Sequence, residues 1–319
     1  KLYMGMTVIE SGPASIYDPG TAFTIPLMDS GSVFDGYWGF VKTGIWKITE
    51  TLSDINLNLG VNVYLNSSIT EVDTKSKIIS FVKDSKDKKL HYDHLIFATD
   101  PILPSKLIKG FTQDIVLDEI GTSGKVTAFF KNPVKWKESN EYSDSFRFIF
   151  SNNNLNKFEE ASQNALKNSG DYFAGFIQIY PDGSAQRAMN NKESYDKLIL
   201  FTKNLSYDKK ADDLDKVKDE IINTVLPYIE NADDLVYSKF LTPKDLNKTF
   251  FFPKGNIDHI TLTGKQNYNK RTFSKNPNNF YSYYDLKDVY YCGAGSFPCG
   301  SVAGTAGYMC SKQLIRNDH

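Results

Sequence analysis

The sequence predicts an α/β fold of mixed α+β character, in which a partial sheet-and-helix unit is interleaved with a second region of mixed β-sheet and helix. Three observations predict it. An apolar stripe at helical spacing is followed by several short β-rich runs. One of those runs, His94 to Ala98, is almost wholly apolar, as a strand buried on both faces would be. The chain then closes on a strand, a glycine-rich turn and a helix.

The elements follow in order. Ile45, Ile48, Leu52, Ile55 and Leu59 recur at helical spacing over 44–59, and Gly60 stands where a left-handed cap is expected, so an amphipathic helix packing on a sheet is predicted. Strands are predicted at Val61–Leu65, Ile69–Val72, Ile78–Val82 and His94–Ala98, with the polar run Lys83–Lys89 as a hairpin tip and Pro101 ending the last strand. A mixed region begins near Leu103, with strands at Lys125–Phe130, Phe146–Phe150, Ala174–Tyr180 and Leu198–Thr202 and a turn at Pro181-Asp182-Gly183. Leu214, Val217, Ile221, Val225 and Ile229 share one helical face, and Thr242-Pro243-Lys244-Asp245 reads as a helix start. Val289–Cys292 is the closing strand, and Tyr308–Ile315 forms an amphipathic tail.

Composition narrows the function. The 319 residues exceed the roughly 250–300 at which single cores stop growing, so one large domain or two interleaved ones are both open. With 40% apolar and 24% charged residues the chain is a folded one, and a net charge of -1 gives no field to hold nucleic acid. No apolar run approaches the roughly 18 residues of a membrane span, and Lys1–Met6 is not followed by a secretory segment. The expectation is a chain that neither spans a membrane nor is exported, in the cytoplasm or the mitochondrial matrix. The spacing of Cys292, Cys299 and Cys310 matches neither a zinc site nor a redox pair; free buried thiols and no metal are expected. Residue 1 is Lys, and no glycine fingerprint of a dinucleotide fold follows it, so a fragment or processed product is expected.

The closing segment carries the chemistry. A glycine-rich turn between strand and helix lets backbone approach a ligand, and the helix start leaves N–H groups and a dipole that favour phosphate. Residues 293–307 are thus a candidate anion or cofactor site, with a tight turn of small residues chosen for packing as the alternative.

The run Tyr291-Cys292-Gly293-Ala294-Gly295-Ser296-Phe297-Pro298-Cys299-Gly300-Ser301-Val302-Ala303-Gly304 resembles the closing flavin motif of the phytoene desaturase-like family, within the flavin amine oxidase superfamily. Four further stretches resemble the same family in the same order: Gly36–Gly44, Gly60–Val72, Ala98–Pro101, and Leu241–Leu246 with Gly255–His259. The resemblance implies a substrate-domain segment over 1–35, an FAD-binding segment over 36–102, a substrate domain over 103–285 and an FAD-binding closure over 286–319. It also implies that a βαβ unit bearing the first glycine fingerprint lies upstream, or is supplied by a partner chain.

FAD is the implied cofactor. Gly293, Ala294, Gly295, Gly300 and Ser301 would lie along its ribityl chain and pyrophosphate, with Val302 and Ala303 near the ring and Gly304 also in the cofactor site. Ile69 or its neighbour would lend backbone to the adenine side, with a core β-branched residue as the alternative, and Thr99 and Asp100 sit at the C-terminal end of a buried strand, where open α/β sheets bind ligands. His259 would orient or deprotonate substrate, with a structural histidine as the alternative. Tyr37, Trp38 and Phe40, with Phe250, Phe251 and Phe252, would line an apolar substrate cavity, or form plain core. The chain departs from the family pattern at Phe297, Cys299 and Ser301, and a side chain at Cys299 or Ser301 would crowd the flavin. The implied activity is hydride transfer from an apolar, isoprenoid-like or lipid-like small molecule to flavin, with peripheral membrane contact as a further expectation. Two alternatives stand beside it: a non-catalytic subunit using the substrate domain as a binding surface, and a flavin amine oxidase.

Overall fold

A computed structural model describes residues 14–23, 41, 44–138, 145–181, 196–209, 211–299 and 304–317. The fold is α/β, with mixed helices and, among the described residues, three sheets. Helix α1, Trp46–Asn58, leads by way of Gly60 (φ +80°) into a three-stranded antiparallel sheet of β1 (Ser67–Asp73), β2 (Ile78–Lys83) and β3 (Lys86–His91). The hairpin tip is shorter than expected, because Asp84 and Ser85 both adopt positive φ and the following lysines pair with β2 as a wholly exposed strand.

Strand β4, Leu95–Phe97, is followed by the short helix α2, Leu103–Leu107. Next come β5 (Gly124–Phe130), β6 (Arg147–Phe150), helix α3 (Leu155–Leu166), β7 (Phe176–Tyr180), β8 (Asp196–Thr202), helix α4 (Ala211–Val225) and β9 (Leu235–Leu241). The five strands form one antiparallel sheet in the order β6-β7-β8-β5-β9. Alternate residues of β5 and β8 face a core that includes Val126, Ala128, Phe130, Leu198 and Leu200, against which α4 lays Val217, Ile221, Ile222 and Val225. Pro227 ends α4 short of Ile229, since its ring cannot continue the helical ladder.

Helix α5, Pro243–Phe250, starts at a full capping box in which Thr242 and Asp245 bond each other's main chain. Strand β10, Val289–Tyr291, then pairs in parallel with β4, so the five-stranded sheet is inserted in sequence between two strands that are neighbours in space. Helix α6, Thr305–Asn317, ends the described chain.

Three expectations are corrected. Helix α1 forms, but none of its residues is buried; Leu52 is 54% exposed and the flanking Leu59 76%. Val61–Leu65 is not a strand, and Val61, Val63, Tyr64 and Leu65 are exposed, because no described strand lies beside them to pair with. Strand β4 is buried on one face only: Leu95 and Phe97 enter the core while Ile96 is 45% exposed. The sequence analysis also missed α3 and β9. The turn expected at Pro181-Asp182-Gly183 lies outside the described residues beyond Pro181.

Candidate functional site

The candidate site lies at the C-terminal ends of β4 and β10, the position where open α/β sheets take ligands. Three segments meet there: the turn Thr99–Pro101 after β4, the loop 255–266 after α5, and the glycine turn after β10. Tyr291 joins the first and third. Its hydroxyl donates to the Thr99 carbonyl (3.0 Å) and accepts from the Gly295 amide (3.2 Å).

Arg271 joins the second and third. It is fully buried, and its guanidinium donates to the carbonyls of Asp258 (2.7 Å), Ile260, Thr261, Gln266 and Ala294 (2.9 Å). Burial pulls its pKa below the usual value, and the buried Asp258 carboxylate opposes that shift. A rigid five-donor fork is the one side chain able to gather so many carbonyls from two loops.

His259 sits at positive φ (+66°), at the Phe252 ring and facing the Thr99–Asp100 turn. Burial lowers its pKa, partly offset by Asp100, so the imidazole is neutral at pH 7. Its Nδ1 is buried and has no hydrogen-bond partner. Asp100 precedes α2, its Oδ1 accepting from the amides of Ile102 and Leu103. Thr99, Asp100, His259, Gly293, Ala294 and Gly295 are thus gathered at one place.

The glycine turn itself is built differently from the sequence expectation. The amides of Gly295, Ser296 and Phe297 donate inward, to Tyr291 Oη, the Gly293 carbonyl and the Arg271 carbonyl. They are not bare donors. A Cβ on Gly293 would stand 2.4 Å from the Thr99 carbonyl oxygen, and one on Gly295 would stand 2.9 Å from Tyr291 Oη, so at both positions the missing side chain makes room for neighbouring protein. Cys299 is the last described residue of this turn. Its side chain is buried beside Asp258 and Arg271, where burial pushes the thiol up to about 12. Its φ of +150° lies in the region that favours glycine.

The start of α6 is open instead. Nothing lies within 4 Å of a Cβ built on Gly304 or Gly307. The Tyr308 amide closes the first turn on the Gly304 carbonyl (3.1 Å), which leaves the preceding amides of a helix N-terminus without intrahelical acceptors. Gly300, Ser301, Val302 and Ala303 lie outside the described residues, as do Tyr37, Trp38 and Phe40.

Ile69 is on β1, opposite Phe81 and 39% exposed, beside a register shift. Phe250 and Phe251 are exposed, and Phe250 stacks on Phe252, so the aromatic run reaches His259 through Phe252 rather than forming core. Sequence reasoning missed Arg271 and Asp258. The available signal was scarcity: Arg271 is one of four arginines in a chain with 37 lysines and arginines. Among the described residues no group of His, Cys, Asp or Glu could hold a metal, and no helix is long and apolar enough to cross a membrane.

No protein-family model matches the chain. Among solved structures it is similar to the cyclohexylamine oxidase from Brevibacterium oxydans IH-35A, with a TM-score of 0.52 and 8% identity over 99% of this chain and 64% of that one. A putrescine oxidase gives a TM-score of 0.43 at 14% identity, covering 86% of this chain and 53% of that one. A CLA-producing fatty acid isomerase from P. acnes gives 0.40 at 10% identity, covering 84% and 51%. The first likeness shows the fold, and the chain spans less than two thirds of that oxidase's length.

Proposed function

We propose that this chain is the substrate-binding and closing part of an FAD-dependent oxidoreductase that takes a hydride from an apolar, isoprenoid-like or lipid-like small molecule. The observation that carries the reading is the pairing of two parallel strands whose C-terminal ends bring together Thr99, Asp100 and the neutral, half-buried His259, followed in sequence by a helix whose first turn is open at Gly304 and Gly307. Gly304 and Gly307, where nothing lies within 4 Å of a built Cβ, would hold the diphosphate end of such a cofactor, whereas the missing Cβ of Gly293 and of Gly295 makes room for Thr99 and Tyr291. Bound FAD would supply the hydride-accepting ring.

The chain's own residues do the rest. The α6 amides and helix dipole offset negative charge. His259, neutral at pH 7, accepts a proton from the substrate or orients it. Phe250, Phe251 and Phe252 present an apolar surface beside it. Anaerobic mixing of the flavin-loaded protein with long-chain polyenes and with alkylamines tests the reading. Bleaching of the flavin band by polyenes supports it, bleaching by amines alone moves the assignment to a flavin amine oxidase, and no bleaching by either refutes hydride transfer.

One observation favours a second reading, in which the chain is a subunit or binding surface. Helix α1, residues 61–65 and the Ile96 face of β4 leave apolar side chains exposed, and among the described residues no strand pairs with the free edge of β4. Parallel strands are normally buried on both faces. A strand-bearing segment from another polypeptide would cover them. Sedimentation of the native protein distinguishes the two: a stoichiometric second chain supports the subunit reading.

A further inference from the structure

Two of the three cysteines are brought together by the closing strand and helix. Cys292 follows β10 directly, and its amide is fixed on the Phe97 carbonyl (2.9 Å). Cys310, on α6, is 1% exposed and packs with Tyr281 and Tyr290 in a cluster against which Cys292 also packs. Gln313, one turn further along α6, accepts the Tyr281 amide (3.1 Å), and the Tyr281 hydroxyl donates to the Phe297 carbonyl (3.0 Å). These bonds hold the face of the helix bearing Cys310 against the strand end. The third thiol, Cys299, is separate, buried at Asp258 and Arg271.

We infer that Cys292 and Cys310 form a dithiol that a hydroperoxide oxidises to a disulfide, stapling the last strand to the last helix across the glycine-rich turn. The order of events follows from exposure. Cys292 is half-buried and reachable, whereas Cys310 is not. The Cys310 thiol donates to the Cys292 sulfur, which lowers the pKa of Cys292 and raises that of Cys310. The Cys292 thiolate attacks the peroxide: an S–O bond forms, the O–O bond breaks, sulfur loses two electrons, and the peroxide leaves as alcohol or water after taking a proton. Cys310 then attacks the Cys292 sulfenic sulfur. The S–S bond forms, the S–O bond breaks, and water departs with the Cys310 proton. The closed ring contains the glycine turn and the start of α6 and limits their freedom in both folded and unfolded states.

The test treats the whole protein with stoichiometric hydrogen peroxide and maps it, unreduced, after chymotryptic cleavage at Tyr291 and Tyr308. The expected result is a linkage joining the peptide that begins at Cys292 to the peptide bearing Cys310. It forms equally in Cys299→Ser, is absent in Cys292→Ser and Cys310→Ala, and disulfide formation raises the wild-type Tm until dithiothreitol reverses it. The half-buried Cys292 variant keeps the test valid if the buried Cys310 variant fails to fold. Three free thiols after treatment, a linkage through Cys299, or a sulfinic Cys292 with Cys310 still free would each overturn the inference.

Discussion

At the scale of single residues, Arg271 and His259 carry the site, and their environments predict opposite behaviour. Arg271 satisfies five main-chain carbonyls from two loops at no solvent exposure. Replacing it with methionine strands those acceptors, each at about 1–3 kcal/mol where water cannot replace the bond. Arg271→Met is therefore expected to lower unfolding free energy by about 3 kcal/mol or more in urea titration, with Arg271→Lys recovering only part, since an ammonium cannot span the same fan. His259 has a depressed pKa in the folded state, so the unfolded chain binds its proton first as pH falls. The stability it contributes is fully present above about pH 6.5 and is lost as pH drops through its lower folded value. His259→Gln should flatten that segment of the stability–pH curve. An unchanged slope would place the imidazole in solvent.

At the scale of elements, α1 is the informative case. Its period and its glycine cap were legible, because both are local properties of residues 44–60. Its partner was not, since a repeating apolar stripe says which face is buried but not against what. The exposed face predicts that Leu52→Lys and Ile55→Lys change the stability of this chain by no more than about 0.5 kcal/mol, as surface substitutions do. Each would instead cost about 1.5–3 kcal/mol if the side chains were buried. Chemical denaturation of the two variants separates these outcomes. The capping box at Thr242–Asp245 was legible from four residues, whereas β9 was not: its burial follows no strict alternation, because both faces are partly covered.

At the scale of the whole molecule, the α/β architecture and the strand–turn–helix closure could be read from sequence, whereas the long-range pairing of β4 with β10 could not. The interior of the turn could not. Gly293 and Gly295 look like ligand-facing glycines by spacing, and only the approach of Thr99 and Tyr291 reveals that protein fills the space. Arg271 escaped for a similar reason, because its partners are carbonyls, which every residue carries. The diphosphate position proposed above is therefore the start of α6, where Gly304 and Gly307 are open. The affinity for FAD of the unaltered protein and of Gly307→Asp, measured by fluorescence quenching, tests this most directly. A carboxylate at Gly307 has open space, sits in the first helical turn and stabilises the helix electrostatically. The account predicts that FAD binds the unaltered chain and binds Gly307→Asp at least about tenfold more weakly, roughly 1.4 kcal/mol, with folding unimpaired. Equal affinity in the two proteins, or no FAD uptake by the unaltered chain, would contradict it.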